Sequence, residues 1–242
     1  MRVVILGCGT GVGKTRLSVA LLRALVRRGL PALGLKPIES GIENCGEVHA
    51  APCASDAAAL SSAGSLQTQL PHPLYALREP VSPHLAARSA GIEIGLERVA
   101  AWVTAAEGIA APGVVSPSAL WTIVETAGGV FSPLAPGATN FELAQALEPA
   151  LWVLVAADAL GVLHDVSSAW KAMRACGREP DHLVLSGARA PDASTGRNAA
   201  ELTTLAIATP SAVLARDDDS GVNALLDRLL EDAATRRRLT PR

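Results

Sequence analysis

The sequence lacks any long uncharged apolar stretch. Of its 242 residues, 49% are hydrophobic, yet no run approaches the ~18 residues that a membrane-spanning helix requires. The apolar run that follows Arg2 is also too short for the core of a signal peptide. We therefore expect a soluble, cytoplasmic protein, and its length suits one α/β domain over residues 1–242.

An excess of charge of one sign is lacking as well. The 21 lysines and arginines nearly balance the 23 acidic residues, and the formal net charge is −2 at pH 7. This balance excludes the extended basic surface with which proteins attract nucleic acids or anionic membranes. We therefore expect neither a nucleic-acid partner nor a membrane partner.

Cysteine is scarce and shows no functional spacing. Cys8, Cys45, Cys53 and Cys176 form no C-x-x-C pair and no zinc-binding pattern. In the cytosol they are expected to be reduced thiols rather than a disulfide framework. Cys8 lies beside the start of a predicted helix, where the pKa of a thiol can fall, although a packing role in the loop is the simpler interpretation.

Glycine, in contrast, is concentrated in one stretch, Gly7-Cys8-Gly9-Thr10-Gly11-Val12-Gly13-Lys14-Thr15, directly after the apolar run 3–6. A buried strand, a glycine-rich turn and a helix N-terminus together form a phosphate-binding site, because backbone N–H groups point at anionic oxygens. In such a P-loop, Lys14 neutralises the β- and γ-phosphates and the Thr15 hydroxyl binds Mg²⁺. Five residues separate Gly7 from Gly13, one more than in the standard pattern.

Strands and helices are predicted to alternate along the whole chain. Leucines at helical spacing predict a helix over 14–28, and a strand at 32–35 completes a βαβ unit, which implies a parallel sheet. Four prolines exclude a regular helix over 71–83. Further strands are predicted at 120–124, 151–156, 183–185 and 212–214, and further helices at 56–63, 94–103, around 170, at 195–205 and at 222–234. The predicted fold class is a single P-loop NTPase-type α/β domain, with a mostly parallel sheet and helices on both faces.

Chemically informative residues follow the predicted strands at the sheet edge where open parallel sheets bind ligands. The strand at 32–35 is followed by Lys36 and Ser40, which we expect on the same side of the site. The strand at 120–124 is followed by Glu125 and a glycine-containing turn. An acid at this position of a P-loop protein usually holds the metal ion.

Together these segments resemble the dethiobiotin synthetase family over most of the chain. The matching segments are the P-loop, Lys36–Gly41, Ser55–Ala57, Glu79–His84, Glu125–Gly129 with Pro133-Leu134, and Leu160–His164. The resemblance implies an ATP- and Mg²⁺-dependent cyclo-ligase of biotin biosynthesis. Such an enzyme joins CO₂ (or bicarbonate) to 7,8-diaminononanoate, phosphorylates the carbamate to a carbamic-phosphoric anhydride, and closes the ureido ring with loss of phosphate. It also implies a homodimer.

The resemblance further implies roles for individual residues. Lys14 and Lys36 are the expected catalytic residues, since positive charge from two sides offsets the repulsion between a carbamate and the γ-phosphate. Ser40 and Thr10 are the expected substrate contacts, and Thr15, Asp56 and Glu125 the expected metal ligands. The expected nucleotide contacts are Gly11, Val12, Gly13, Lys14, Thr15, Arg16, Glu125, Thr126, Ala127 and Gly128.

Three positions depart from the family pattern. Gly9 stands where the family commonly has aspartate, and Thr126 where it commonly has glycine. Ser186-Gly187 replaces an asparagine that commonly reads the adenine, so weak base discrimination is expected. Two alternatives stay open: a partitioning-type ATPase switch, although its signature lysine is replaced by Gly9, and a related ligase with a changed substrate.

Overall fold

The structure, a computed structural model, describes residues 1–42, 55–113, 119–215, 218 and 220–239. Cys45 and Cys53, which are expected to be reduced thiols, lie outside the described residues. In chain order, the strands of the described part are β1 (Arg2–Gly7), β2 (Ala32–Leu35), β3 (Ile38–Ser40), β4 (Tyr75–Leu77), β5 (Trp121–Glu125), β6 (Pro133–Ala135), β7 (Ala138–Thr139), β8 (Ala150–Asp158), β9 (His182–Gly187) and β10 (Ala212–Leu214). Its helices are α1 (Lys14–Arg27), α2 (Asp56–Ala63), α3 (Pro83–Ser89), α4 (Leu96–Ala110), α5 (Asn140–Ala146), α6 (Val162–Ala175), α7 (Asn198–Thr204) and α8 (Ser220–Leu239).

The main sheet contains six strands in the order β10-β9-β8-β1-β5-β2, and all neighbouring pairs are parallel. Strand β1 lies in the interior, where Ile5 is in register with Val153 of β8 and with Glu125 of β5. The predicted P-loop therefore leaves the sheet in the middle of its carboxyl edge, beside Glu125. Two short pairs, parallel β3–β4 and antiparallel β6–β7, stand apart from this sheet.

Alternation along β1 divides the core into two layers, because successive side chains of a strand point to opposite faces. Val4 and Leu6 belong to the cluster that also contains Trp152 and the buried sides of α3 to α7. Val3 and Ile5 belong to the cluster formed with α1, α2 and α8. Helices thus cover both faces of a parallel sheet, and the predicted fold class is confirmed. None of the helices in the described ranges is long and apolar enough to cross a membrane.

Most predicted elements appear at the expected places, and α2 has the predicted bounds. The pairs β3–β4 and β6–β7 were not predicted, because strands of two or three residues are too short to show a periodicity. Helix α5 was missed as well. The signal for it is a capping box, in which the Thr139 hydroxyl accepts from Phe141 N (3.1 Å) and Glu142 Oε2 accepts from Thr139 N (2.8 Å).

Candidate functional site

A cavity of about 540 Å³ opens at the carboxyl edge of the sheet, around the P-loop. Thirteen of the fourteen predicted site residues line it: Thr10, Gly11, Val12, Gly13, Lys14, Thr15, Arg16, Lys36, Ser40, Asp56, Glu125, Ala127 and Gly128. Thr126 is the exception, because it is buried and both its hydroxyl (2.9 Å) and its amide (3.1 Å) donate to the Ile5 carbonyl. Thr126 therefore fastens the turn after β5 to β1 and does not face the cavity.

The P-loop makes a sharp turn into helix α1 at Gly13, whose φ is +99°. A Cβ atom at this position would lie 2.2 Å from Ser186 Oγ, so both the backbone conformation and the contact require glycine. Ser186, predicted to stand in the base-reading region, thus lies directly against the phosphate loop. Its hydroxyl is buried and has no hydrogen-bond partner among the described residues.

Lys14 begins α1, and its ammonium group is held inside the P-loop. Nζ donates to the Gly9 carbonyl at 3.0 Å, and the residue is only 7% exposed. Burial lowers the pKa of Lys14 to about 8, while the nearby Glu125 carboxylate acts in the opposite direction. Phosphate oxygens bound at this position would favour the charged form of Lys14.

Glu125, at the end of β5, is the centre of the polar network and is fully buried. Its Oε1 accepts from Thr15 Oγ1 at 2.8 Å and from Lys36 Nζ at 2.7 Å. Its Oε2 accepts from Ser18 Oγ at 2.8 Å. Ser18 was not predicted as a site residue, although a hydroxyl three residues after Thr15 lies on the same face of a helix.

Lys36 follows β2 and pairs with two carboxylates, those of Glu125 and Asp56. Burial alone would lower the pKa of Lys36, but Glu125 and Asp56 beside the ammonium raise it above its ordinary value. Lys36 therefore adds a positive charge to the wall of the cavity that the P-loop lysine also lines.

The predicted metal ligands Thr15, Asp56 and Glu125 lie together around Lys36. Thr15 donates to Glu125, and Lys36 pairs with both Glu125 and Asp56. No group of three or more His, Cys, Asp or Glu side chains in the described ranges could hold a metal by itself. Mg²⁺ does not need such a cage, since it is commonly bound by one or two carboxylates together with substrate phosphates. One hydroxyl and two carboxylates fit a magnesium ion that arrives with a nucleotide.

A buried asparagine fixes the turn that follows β5. Asn140, the first residue of α5, donates from Nδ2 to the carbonyls of Ala127 (2.6 Å) and Gly129 (2.8 Å). The Gly129 amide donates to Ser132 Oγ at 2.8 Å. The cavity wall formed by this turn therefore depends on α5, a helix that the sequence analysis did not predict.

Cys8 is not an activated thiol. Burial, together with the negative charge of Asp165, raises the pKa of Cys8 to about 12, so the possibility of a lowered pKa at the helix start is wrong. Its amide donates to the Val155 carbonyl at 2.9 Å. The structure supports a packing role in the loop.

A half-buried histidine supports the backbone at Lys36, and its protonation is expected to weaken the fold. His72 Nε2 accepts from Lys36 N at 2.8 Å, and burial lowers the pKa of His72 to about 4. As the pH falls through 6.5, the unfolded chain therefore takes up a proton that the folded chain excludes. We expect the free energy of unfolding to drop by about 2 kcal/mol between pH 7.5 and pH 5 from this residue.

Urea unfolding at the two pH values checks this expectation. The matched control is His72→Gln, in which the amide oxygen replaces Nε2 as acceptor but does not titrate. An identical loss of stability in this variant would contradict the role of His72.

Comparison with known proteins adds three findings. A family model described as an AAA domain matches residues 1–216. The chain is 36% identical over 219 residues to the ATP-dependent dethiobiotin synthetase BioD of Anaeromyxobacter dehalogenans (strain 2CP-C), covering 88% of this chain and 89% of the relative. It is 31% identical over 229 residues to the enzyme of the same name from Caulobacter sp. (strain K31), covering 94% of each.

Solved structures of other P-loop proteins share the fold. The MinC:MinD cell division protein complex of Aquifex aeolicus aligns with a TM-score of 0.52 at 12% identity, over 95% of this chain and 96% of the other. A ParA family ATPase from Chlorobium tepidum aligns with a TM-score of 0.50 at 14% identity, over 96% and 93%. At such low identity these likenesses concern the fold alone.

Proposed function

The chain belongs to the dethiobiotin synthetase family and is an ATP-dependent ligase of biotin biosynthesis, and we propose that it joins CO₂ to 7,8-diaminononanoate in a Mg²⁺-dependent reaction at this cavity. The observation that carries the proposal is the meeting of Lys14, Lys36 and Glu125 in one cavity beside the P-loop. In keeping with the family resemblance, we also propose a cytoplasmic homodimer.

The proposed reaction brings two anions together. One amine of the substrate adds to CO₂ and forms a carbamate, and a carbamate oxygen then attacks the γ-phosphorus of ATP, so that ADP leaves. The second amine attacks the carbonyl carbon of the resulting anhydride, and inorganic phosphate leaves as the ring closes. Phosphoryl transfer of this kind requires positioning and charge stabilisation more than covalent help from the protein.

The two lysines have separate roles in this proposal. Lys14 and the P-loop amides hold the β- and γ-phosphates. Lys36, directly after strand β2, faces the position of the acceptor and offsets the charge of the carbamate. Ser40 and Thr10 line the same cavity and are proposed to hydrogen-bond the carbamate or the amine.

Thr15, Asp56 and Glu125 would hold Mg²⁺. The ion would supply additional positive charge at the phosphate oxygens. The fixed position of Glu125, which accepts from three different side chains, means that the oxygen donors are already oriented when the nucleotide arrives.

One experiment separates this function from the alternatives. ADP release is measured at saturating bicarbonate with and without 7,8-diaminononanoate. A ligase for this substrate releases ADP only when the diamine is present. A switch ATPase, which transfers the phosphoryl group to water, releases ADP equally in both cases. A related ligase with a changed substrate would remain inactive with 7,8-diaminononanoate and respond to a different amine.

We expect Glu125→Gln to weaken the dependence on Mg²⁺. Glutamine keeps the shape of the side chain and an acceptor for Thr15, but it removes one negative charge from the metal ligands. The half-saturating Mg²⁺ concentration for turnover should rise by at least ~10-fold, since even outer-shell changes cost 10- to 100-fold in metal affinity. The same half-saturation in both proteins would mean that Glu125 is structural.

A further inference from the structure

Glu39 lines the cavity between Lys36 and Ser40, but its carboxylate is bound to helix α2. Its Oε1 accepts from the Asp56 amide at 2.7 Å, and its Oε2 accepts from the Ala57 amide at 2.9 Å. The residue is only 7% exposed. Two hydrogen bonds, one buried and one partly buried, therefore join β3 to the first two residues of α2.

These amides belong to the group of N–H donors that a helix leaves without an internal partner at its start. The next one, at Ala58, donates to the side chain of the N-cap residue Ser55 at 3.0 Å. The positive end of the helix further favours the carboxylate of Glu39 at this position. Since each of its oxygens already accepts a backbone amide, the geometry suits a fixed anchor.

The residue that Glu39 anchors is Asp56 itself. The Asp56 backbone is held by Glu39, while its carboxylate contacts Lys36 Nζ. Both partners come from the short segment 36–40 that follows β2, so this segment fixes the main chain and the side chain of Asp56 together. Any shift of the α2 N-terminus would move the Asp56 carboxylate relative to Glu125.

We propose that Glu39 is a positioning residue that holds Asp56 in place as a Mg²⁺ ligand. This inference rests on the proposed function, because it assumes that Asp56 binds the metal at the nucleotide. The contribution of Glu39 acts through Asp56 and does not require Glu39 to touch the metal or the substrate.

The test compares Glu39→Gln with Ser55→Ala. The first variant replaces one acceptor oxygen by an NH₂ group and loses one of the two bonds to α2. The second removes a hydrogen bond at the same helix end and leaves both contacts of Glu39 intact. The readout is the Mg²⁺ concentration that half-saturates binding of the non-hydrolysable analogue AMP-PNP, measured by calorimetry without turnover, together with urea unfolding of each variant.

We expect E39Q to raise the half-saturating Mg²⁺ concentration by ~10-fold, as for other residues that orient a metal ligand. The half-saturating Mg²⁺ concentration of S55A should equal the wild-type value, even if S55A and E39Q lose comparable stability. The double variant E39Q/D56N should not differ from D56N alone, because Glu39 acts through Asp56.

Wild-type Mg²⁺ dependence in E39Q, or equal shifts in E39Q and S55A, would overturn the positioning role. The role would also be overturned if the increase in half-saturating Mg²⁺ concentration in E39Q/D56N equalled the product of the increases in the two single variants. In those cases the wild type still shows diamine-stimulated ADP release, so the proposed function survives. A wild type whose AMP-PNP binding ignores Mg²⁺ would instead overturn the metal site and the role of Glu39 with it.

Discussion

Replacing Lys14 by alanine is expected to abolish ATP turnover while the chain stays folded. Among the residues that the structure describes, the Lys14 ammonium donates to one partner, the Gly9 carbonyl at 3.0 Å, and forms no ion pair, so its loss leaves no described carboxylate buried without its partner. Its removal therefore takes away the charge that faces the β- and γ-phosphates without breaking the packing of β1 and α1.

The chain offers a matched control for this variant. It contains three lysines, Lys14, Lys36 and Lys171, and Lys171 is exposed on α6, away from the cavity. Lys171→Ala removes the same charge and should leave the rate of ADP release unchanged. Turnover and circular dichroism are measured on both variants. Wild-type turnover in the correctly folded Lys14→Ala protein would contradict the assignment of the P-loop.

Much of the fold could be predicted because its first 35 residues combine several local signals. The apolar run of β1, the glycines of the P-loop, the leucines of α1 and the strand β2 all predict the same βαβ unit. The short strands β3, β4, β6 and β7 could not be predicted in this way. They depend on contacts between distant segments, such as the register of Ile38 with Tyr75, that no local pattern records.

The candidate site, like the fold, could be predicted only where local sequence patterns indicate it. Lys36 and Glu125 could be singled out because they follow buried strands at the ligand-binding edge of a parallel sheet. The distance of 2.7 Å between them could not be derived, since 89 residues separate them in the chain. Glu39 and Asn140 were missed because each binds backbone groups in a different element, 17 and 18 positions away for Glu39 and 13 and 11 for Asn140, which no local periodicity indicates. Thr126, in contrast, was assigned to the cavity from its place in a motif, although its side chain turns toward β1.

A second large loss of rate, on the chemical step itself, is expected from Lys36→Ala. In a ligase the partner of Lys36 is the carbamate, whose charge is redistributed as it attacks the γ-phosphorus. Removing this charge should lower kcat by ~10²- to 10³-fold, as for other preorganised charge donors. Affinity for the nucleotide should change little, because Lys14, the P-loop amides and the hydroxyl of Thr15 remain.

Stability must be measured together with the rate, because Lys36 also neutralises Glu125, which is fully buried. Removing one partner of a buried ion pair costs about 3–5 kcal/mol, so Lys36→Ala is expected to be less stable than the wild type. The double variant Lys36→Met with Glu125→Gln removes both charges and should recover part of that stability while turnover stays low. Recovery of stability in the double variant measures the structural role of the Lys36–Glu125 pair. The chemical role of Lys36 is taken from kcat of Lys36→Ala alone, because Glu125→Gln also removes a proposed metal ligand.

Lys36→Ala also distinguishes a ligase from a nucleotide-driven switch. Diamine-stimulated ADP release and AMP-PNP binding are compared between the wild type and Lys36→Ala, at a temperature where both are folded. A ligase loses rate and keeps nucleotide affinity, because the lysine faces the acceptor and not the leaving group. An equal loss of affinity and rate would place Lys36 on the nucleotide phosphates. ADP release that is independent of the diamine in the wild type would contradict the ligase reaction itself, since water would then be the acceptor.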